Sequence, residues 1–493
     1  MIGAYRPFAM SKIRSSAWPL LPFALLAGCA VGPDYRPPSL SELKAPAAFN
    51  AAAPAAAEVD LARWWTGFDD PVLAGLVERA LAANLDIAEA GARLRQARAS
   101  LRGAQGQALP TLGASGSASR SVGREGGSFV DPTTGTTIST GGDSTVFRAG
   151  IDAAWEADLF GGIRRDIEAA RADAQASLGN LHFAQLSVAS EVGLNYLDAR
   201  LAQARLRIAR DNLASQDETL RIVGWRAQAG LVSALDLEQA RQLRAQTAAG
   251  IPAIETRYTA AVNRIAVLIG EASGAVTPLL AEPAPVPLAP AAIAIPAEVL
   301  QRRPDVAAAE RTLAAETARI GVPTAELYPA LRLSGSFSGT ATSIGDLPSA
   351  AIGNLVSSIT APIFQGGRIR AAIEGQRASA DAALAVYRRS VLTALEDVEN
   401  ALTAIGAAER REREANVALA AARNAVTYAR SQYRAGLIDF QALLESERGL
   451  LSSEDGSAIA RADRATATVQ LYKALGGGWQ AAPLPQTASA KRP

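Results

Sequence analysis

The side chains that most often carry out chemistry are scarce in this 493-residue chain. Its one histidine, His182, and its one cysteine, Cys29, cannot form a zinc site or a Cys-His nucleophile pair. The four lysines are Lys12, Lys44, Lys473 and Lys491. The body of the chain therefore offers no P-loop lysine and no Schiff-base lysine. We expect no enzyme, no catalytic residue, no metal site and no cofactor, and we interpret His182 as a packing or surface residue.

Cys29 lies at the end of an export signal. A basic start and a short apolar stretch, residues 18–27, precede it. The motif Leu26-Ala27-Gly28-Cys29 resembles the bacterial lipobox, in which the cysteine becomes the lipidated first residue of the mature protein. We therefore predict a signal peptide over residues 1–28 and a lipid on Cys29. The alternative is an ordinary secretory signal with an incidental cysteine.

Net charge and hydropathy argue against a nucleic-acid partner and against a transmembrane helix. The formal net charge is +1, which argues against a basic surface for nucleic acid. After the signal, no run of 18 apolar residues offers a transmembrane helix, so a membrane crossing would require β-strands.

The sequence contains two copies of one set of structural elements. Three motifs recur at one constant offset in the numbering: Ile167-Glu168 with Ile373-Glu374, Ala229-Gly230-Leu231 with Ala435-Gly436-Leu437, and Gly270 with Gly476. Motifs further upstream, around Pro110 and Pro329, recur at a slightly larger offset. The second copy therefore has a shorter version of one loop between these two sets of motifs.

Each copy has one predicted hairpin and one pair of long helices. In residues 146–159 apolar side chains alternate with polar ones, and Phe147, Ile151 and Trp155 form a face that we expect to meet lipid. The other predicted strands are residues 112–121, 331–338 and 352–363, and residues 123–144 form the longer hairpin loop. A first helical segment is predicted over residues 71–106.

The long helices have apolar residues at the spacing of a coiled coil, and no proline interrupts residues 161–250 or 364–481. Gly230 and Gly436 separate two helical runs in each copy, as helix-ending glycines do. Each glycine therefore marks a tip where two antiparallel helices meet. The predicted segments are a signal peptide (1–28), an extended arm (29–60), the first repeat (61–275), a proline-rich extended linker (276–296), the second repeat (297–476) and a flexible tail (477–493).

Four strands per chain leave unpaired sheet edges, which a membrane does not tolerate. The strands must therefore close into a barrel by assembly, with eight strands from two chains or twelve from three. The predicted fold class is an α+β membrane protein with a long coiled-coil α-barrel and a β-barrel.

Several motifs together resemble the TolC-like outer-membrane efflux proteins. They include Trp64-Trp65, Trp155-Glu156-Ala157-Asp158-Leu159-Phe160-Gly161, Arg302-Arg303-Pro304-Asp305 and Pro362-Ile363-Phe364-Gln365-Gly366-Gly367. The lipobox followed by Val31-Gly32-Pro33-Asp34-Tyr35 is similar to the NodT lipoprotein branch. This resemblance implies a homotrimer with a twelve-stranded barrel, lipid-anchored in the bacterial outer membrane and extending into the periplasm. It also implies passive transport with a periplasmic membrane-fusion adaptor and an inner-membrane pump of the resistance-nodulation-division type.

The same resemblance implies roles for individual residues. The tips that meet the adaptor correspond to Gly230, Leu231, Val232, Ser233, Gly436, Leu437 and Ile438. Asp236 and Tyr433 match a pair that closes the periplasmic mouth, and Glu445 is a candidate for narrowing the bore. Two other readings stay open: a protein-secretion channel working with an ABC exporter, and a coiled-coil structural lipoprotein without a pore.

Overall fold

The structure is a computed structural model that describes residues 30–39, 41–43, 60–122, 128–130, 137–139, 143–290 and 303–480. The chain divides into two compact units. The sheet unit comprises residues 1–34, 103–168 and 317–377, and the helical unit comprises residues 35–102, 169–316 and 378–493. Cys29 lies outside the described residues, so the predicted lipid stays a prediction.

The sheet unit confirms the predicted strands. Its strands are β1 (Thr111–Ser121), β2 (Ser128–Val130), β3 (Thr137–Ser139), β4 (Ser144–Ala157), β5 (Ala330–Ala341) and β6 (Ala351–Thr360). The antiparallel main sheet has the order β1-β4-β5-β6, and β2 pairs with β3 inside the longer hairpin loop. Residues 122–143 connect β1 to β4 and residues 342–350 connect β5 to β6, so the loop that is shorter in the second copy is this hairpin connection, as predicted.

The helices confirm the duplication in their lengths. They are α1 (Pro71–Ala83), α2 (Leu85–Gln107), α3 (Gly162–Gln228), α4 (Ala234–Leu268), α5 (Pro304–Arg319), α6 (Gly321–Ala325), α7 (Arg368–Arg434) and α8 (Phe440–Ala474). Helices α3 and α7 each have 67 residues, and α4 and α8 each have 35. The first and last residues of these helices recur at the same offset as the sequence motifs. Among the described residues, no helix is both long enough and apolar enough to cross a bilayer.

Each copy has a break among its shorter helices. The first predicted helix is split at Asn84, whose Oδ1 accepts hydrogen bonds from the backbone N–H groups of Asp86 (2.8 Å) and Ile87 (3.1 Å) and so caps α2. In the second copy the segment that corresponds to α2 begins at Pro304 and has a break of its own, between α5 and α6. Pro323 accounts for that break, because proline lacks the N–H that a continuous helix requires.

The core of the helical unit forms around Trp64 and Trp65, which lie in a 3-10 helix at Leu61–Phe68. Trp64 stacks on Tyr472 of α8 with ring centroids 5.8 Å apart. Tyr196 of α3 donates a hydrogen bond of 2.5 Å to Asp70, the residue that caps α1. The tryptophan pair therefore joins the start of the first repeat to helices from both copies.

Two expectations about the connecting segments need correction. The linker is not simply extended, because residues 277–280 form a 3-10 helix and Val276, Leu280 and Val286 are buried in the helical core. Trp479, within the predicted flexible tail, is ordered against the helical unit, since it stacks on His182 with ring centroids 4.3 Å apart. His182 is thus a packing residue, and burial lowers the pKa of its imidazole. Residues 481–493 lie outside the described part of the chain.

Candidate functional site

The first tip lies between α3 and α4, where the chain reverses at Gly230. This glycine has φ +68°, a left-handed conformation that side chains with a Cβ rarely adopt. The N–H groups of Gly230 and Leu231 donate to the carbonyls of Ala227 (3.0 Å) and Arg226 (2.8 Å), which is a Schellman motif. The predicted helix-ending role of Gly230 is confirmed.

Helix α4 then begins with a reciprocal cap. The backbone N–H of Asp236 donates to Ser233 Oγ (3.2 Å), and the backbone N–H of Ser233 donates to Asp236 Oδ2 (3.0 Å). Each side chain satisfies a backbone donor that has no partner in the first turn of a helix. The spacing of Ser233 and Asp236 is visible in the sequence and was a usable signal for this capping box.

The second tip repeats this backbone with other side chains. Gly436 has φ +74°, and the N–H groups of Gly436 and Leu437 donate to the carbonyls of Tyr433 (3.1 Å) and Gln432 (2.9 Å). Asp439 caps α8 by accepting a hydrogen bond from the N–H of Ala442 at 2.9 Å. Both copies thus form the same turn, with different side chains capping the helix that follows.

The tips present leucines to the outside. Leu231 is 71% exposed and Leu437 is 76% exposed, whereas the next residues, Val232 and Ile438, pack against the cluster below. This cluster, here called the tip cluster, consists of Val223, Ala240, Leu243, Ala429, Tyr433, Phe440, Leu443 and Leu444. Each tip therefore combines a hydrogen-bonded turn with an exposed leucine available to a partner, and the first tip also exposes Leu235 at the start of α4.

The proposed gating residues are not joined in this structure. The Asp236 carboxylate is bonded to Ser233, and the buried Tyr433 hydroxyl has no hydrogen-bond partner among the described residues. The Tyr433 ring instead packs beside Phe440, at 5.9 Å between centroids, and under the guanidinium of Arg226, at 4.7 Å. A gating role for this pair stays a prediction.

Sequence reasoning missed a charged residue close to Glu445. Glu445 is exposed on α8, but Glu447 is only 3% exposed. Glu447 Oε1 accepts hydrogen bonds from Arg430 of α7 (3.2 Å) and Thr219 of α3 (3.1 Å), and Arg430 also donates to Ser215 of α3. These four residues, here called the α3–α7–α8 clasp, join one helix of the first repeat to both long helices of the second.

Helix α3 also forms ion pairs with α8 and with α4. Arg205 of α3 forms a two-pronged ion pair with Asp455 of α8, at 2.6 and 3.0 Å. Arg244 of α4 donates to Asp217 of α3 at 2.9 Å. Within the described parts of the chain, no three His, Cys, Asp or Glu side chains are grouped as metal ligands.

The main sheet has one apolar and one polar face. Phe147, Ile151 and Trp155 of β4 lie directly opposite Ala341, Phe337 and Leu333 of β5. The other face carries Arg148, Asp152 and Glu156 opposite Thr340, Ser336 and Arg332, and Arg332 forms an ion pair with Glu156 at 3.0 Å. Trp155 also donates from Nε1 to the carbonyl of Ala108 at 3.0 Å. The alternation predicted for this strand is confirmed, while its contact with lipid stays a proposal.

Comparison with known proteins agrees with this geometry. The family described as outer membrane efflux protein matches residues 76–271 and 295–477, so the chain belongs to that family. Nodulation protein T of Rhizobium leguminosarum bv. trifolii is 32% identical over 463 residues, covering 92% of this chain and 96% of the relative. The pyoverdine export outer membrane protein OpmQ of Pseudomonas aeruginosa is 34% identical over 458 residues, covering 92% and 95%.

A solved structure of the outer-membrane channel OprN superimposes with a TM-score of 0.81 at 36% identity, covering 92% of this chain and all of that one. The fold is therefore that of the TolC-like outer-membrane channels, and the resemblance inferred from the motifs is confirmed.

Proposed function

We propose that the chain is one subunit of an outer-membrane channel that passively conducts small molecules out of the cell. The observation that carries this proposal is the four-stranded sheet, which has an apolar face and ends in the edge strands β1 and β6. Unpaired strand edges are costly in lipid, so the sheet must pair with strands of other chains. Three copies give a homotrimer with a twelve-stranded barrel, the assembly that the family resemblance implies.

Small molecules are favoured over proteins as the cargo. OpmQ of Pseudomonas aeruginosa is named for pyoverdine export, and SrpC of Pseudomonas putida, 28% identical over 483 residues, is named for solvent efflux. We infer a cargo of this size class, delivered by an inner-membrane pump of the resistance-nodulation-division type. A secreted protein that requires this channel would instead favour the ABC-exporter alternative.

We further infer that the two tips dock a periplasmic membrane-fusion adaptor. Leu231 and Leu437 are the exposed apolar residues of the two turns, and the hydrogen bonds of each Schellman motif hold the backbone there in one conformation. Apolar side chains at a rigid convex turn suit insertion into a groove of a partner protein.

Lipidation of Cys29 and the gating residues complete the proposal. Several acyl chains on Cys29 would hold the mature chain in the outer membrane, since each buried methylene contributes about 0.8 kcal/mol. Mass spectrometry of the mature N-terminus tests this, and an unmodified Cys29 would refute it.

For Asp236 and Tyr433 we propose a link that forms between subunits or in another state of the periplasmic mouth. For Glu445 we propose a place in the bore.

Dye efflux tests the proposed channel and its docking tips together. Cells that lack their own outer-membrane channel but retain adaptor and pump are complemented with this chain, and ethidium accumulation is measured. The wild type should lower accumulation, and Leu231→Ser with Leu437→Ser should raise it again at equal protein levels. Val417→Ser is the control, because Val417 is an exposed apolar residue of α7 away from the tips. Equal efflux by tip and control variants would refute docking, and no efflux by the wild type would refute the channel.

A further inference from the structure

The segment Ala30–Asp34 contains the Val-Gly-Pro-Asp part of a motif to which the channel function assigns no task. Within the sheet unit, the backbone N–H of Val31 donates to the carbonyl of Phe160 at 3.0 Å. The Arg165 guanidinium, near the start of α3, donates to the carbonyls of Val31 (3.1 Å) and Gly32 (3.2 Å) and to Asp34 Oδ1 (2.7 Å). One arginine thus binds three acceptors of this short segment.

Arg165 is built into this position. Its residue exposure is 4%, and its Nη1 donates to Glu168 at 2.8 Å, which keeps the guanidinium oriented. A guanidinium has five donors in a fixed plane, so it can serve carbonyls and carboxylates at the same time. The neighbouring Arg164 differs: its side chain is 45% exposed and pairs with Asp158.

Three glycines let the backbone of residues 30–32 lie close to the backbone at positions 161 and 321. Gly32 has φ +94°, and a Cβ there would lie 2.6 Å from the Cα of Gly321. A Cβ on Gly321 would lie 2.8 Å from the carbonyl oxygen of Val31, and one on Gly161 would lie 2.7 Å from the Cα of Ala30. Real Cβ atoms do not come this close to backbone atoms, so the contact surface requires glycine at all three positions.

We propose that Gly161, Arg165 and Gly321 form a docking slot for residues 30–34, which fixes the N-terminal arm to the sheet unit independently of any lipid. The slot recognises backbone carbonyls and one carboxylate, so its ligand is this peptide segment of the chain itself. Because Cys29 precedes Ala30 in the sequence, the docked segment is also the attachment of the proposed lipid to the sheet unit. This goes beyond the proposed channel function.

The arm has a separate contact in the helical unit. The Tyr35 hydroxyl donates to Glu310 Oε1 at 2.5 Å, Arg311 pairs with the same carboxylate, and Leu43 is buried in a cluster with α7 and α8 residues. Burial raises the pKa of the Tyr35 hydroxyl well above its usual range, and the hydrogen bond to Glu310 adds to this rise. Loss of the slot should therefore free residues 30–34 while Tyr35 and Leu43 remain bound.

Hydrogen–deuterium exchange of the purified full-length protein tests the slot. Arg165→Ala removes three hydrogen bonds to a charged group, so the Val31 amide should exchange at least about tenfold faster. Gly321→Ala should have the same effect by filling the slot without changing charge. The matched controls are Arg164→Ala and Gly103→Ala, since a Cβ on Gly103 would meet no atom within 4 Å.

Three outcomes would overturn the proposal. Unchanged exchange of Val31 in Arg165→Ala and Gly321→Ala would mean that no slot holds the segment. Equal acceleration along β4 and all of α3 would mean that Arg165 acts only in general stability. The third is faster Val31 exchange in Cys29→Ser, which would show that the lipid does the docking; we expect protection to persist there. These readouts do not require transport, so they are separable from failure of the channel proposal.

Discussion

The two tips have the same backbone and different side chains, and this contrast shows what the duplication has preserved. Gly230 and Gly436 form the same left-handed turn, each between a 67-residue and a 35-residue helix. The aromatic residues Tyr433 and Phe440 of the second tip correspond to Ala227 and Ala234 in the first copy. Helix lengths and turns are thus shared, whereas the buried aromatic side chains of the tip cluster come from the second copy.

The charged residues below the tips also differ between the two copies. Arg430 and Glu447 of the α3–α7–α8 clasp correspond to Gly224 and Arg241 in the first repeat, which cannot form that ion pair. The second repeat therefore supplies the ion pair of the clasp and the aromatic rings of the tip cluster. The first repeat supplies smaller apolar side chains to that cluster, Val223 of α3 and Ala240 and Leu243 of α4.

The largest effect should come from the aromatic core of the second tip. Phe440→Ala removes a buried ring from the tip cluster, and such a change costs about 3–5 kcal/mol where the structure cannot collapse. Tip amides of α7 and α8 should then exchange much faster in a hydrogen–deuterium experiment. Leu235→Ala, at an exposed leucine of the first tip, is the control and should leave exchange unchanged. Similar effects of both variants would remove the proposed difference between the tips.

A smaller effect is expected from the buried carboxylate of the clasp. Glu447→Gln keeps the shape but leaves Arg430 without its counter-charge, which should cost about 1–3 kcal/mol. The matched variant Glu445→Gln changes an exposed carboxylate on the same helix and should stay within about 0.5 kcal/mol. Exchange rates at Thr219 and Arg430 measure both. If Glu445→Gln has the larger effect, the clasp does not join these helices.

The smallest effects concern the turn glycines, and there the two tips should behave alike. Alanine in a left-handed conformation costs roughly 1–2 kcal/mol, so Gly230→Ala and Gly436→Ala should destabilise their tips similarly. Gly224→Ala should have the opposite sign, since it lies inside α3 with free space around it and alanine favours helix by about 0.5–1 kcal/mol. Hydrogen–deuterium exchange of the backbone amides at the tips measures the change in local stability for all three variants. A neutral Gly230→Ala beside a destabilising Gly436→Ala would show that the tips differ in backbone as well.

Local patterns in the sequence were sufficient for much of this fold. Alternating side chains predicted β4, coiled-coil spacing predicted α3 and α7, and glycine at 230 and 436 predicted the turns, because each signal depends on near neighbours in the chain. The burial of Glu447 was not predictable in this way, since its partners Arg430 and Thr219 come from other helices and other parts of the sequence.

The linker and the tail also have contacts that local sequence patterns do not predict. A proline-rich composition indicated little regular structure near Leu280, but it carried no information about burial. Likewise, the glycines after residue 475 indicated the end of α8 but not the stacking of Trp479 on His182. Both features depend on surfaces that only the folded helices create.

Native mass spectrometry of the detergent-solubilised protein tests the central claim most directly. If the sheet edges β1 and β6 pair between chains to close a barrel, the main species should have three times the mass of the mature chain. A stable monomer or dimer as the main species would contradict the account, because four or eight strands would then suffice for the membrane state.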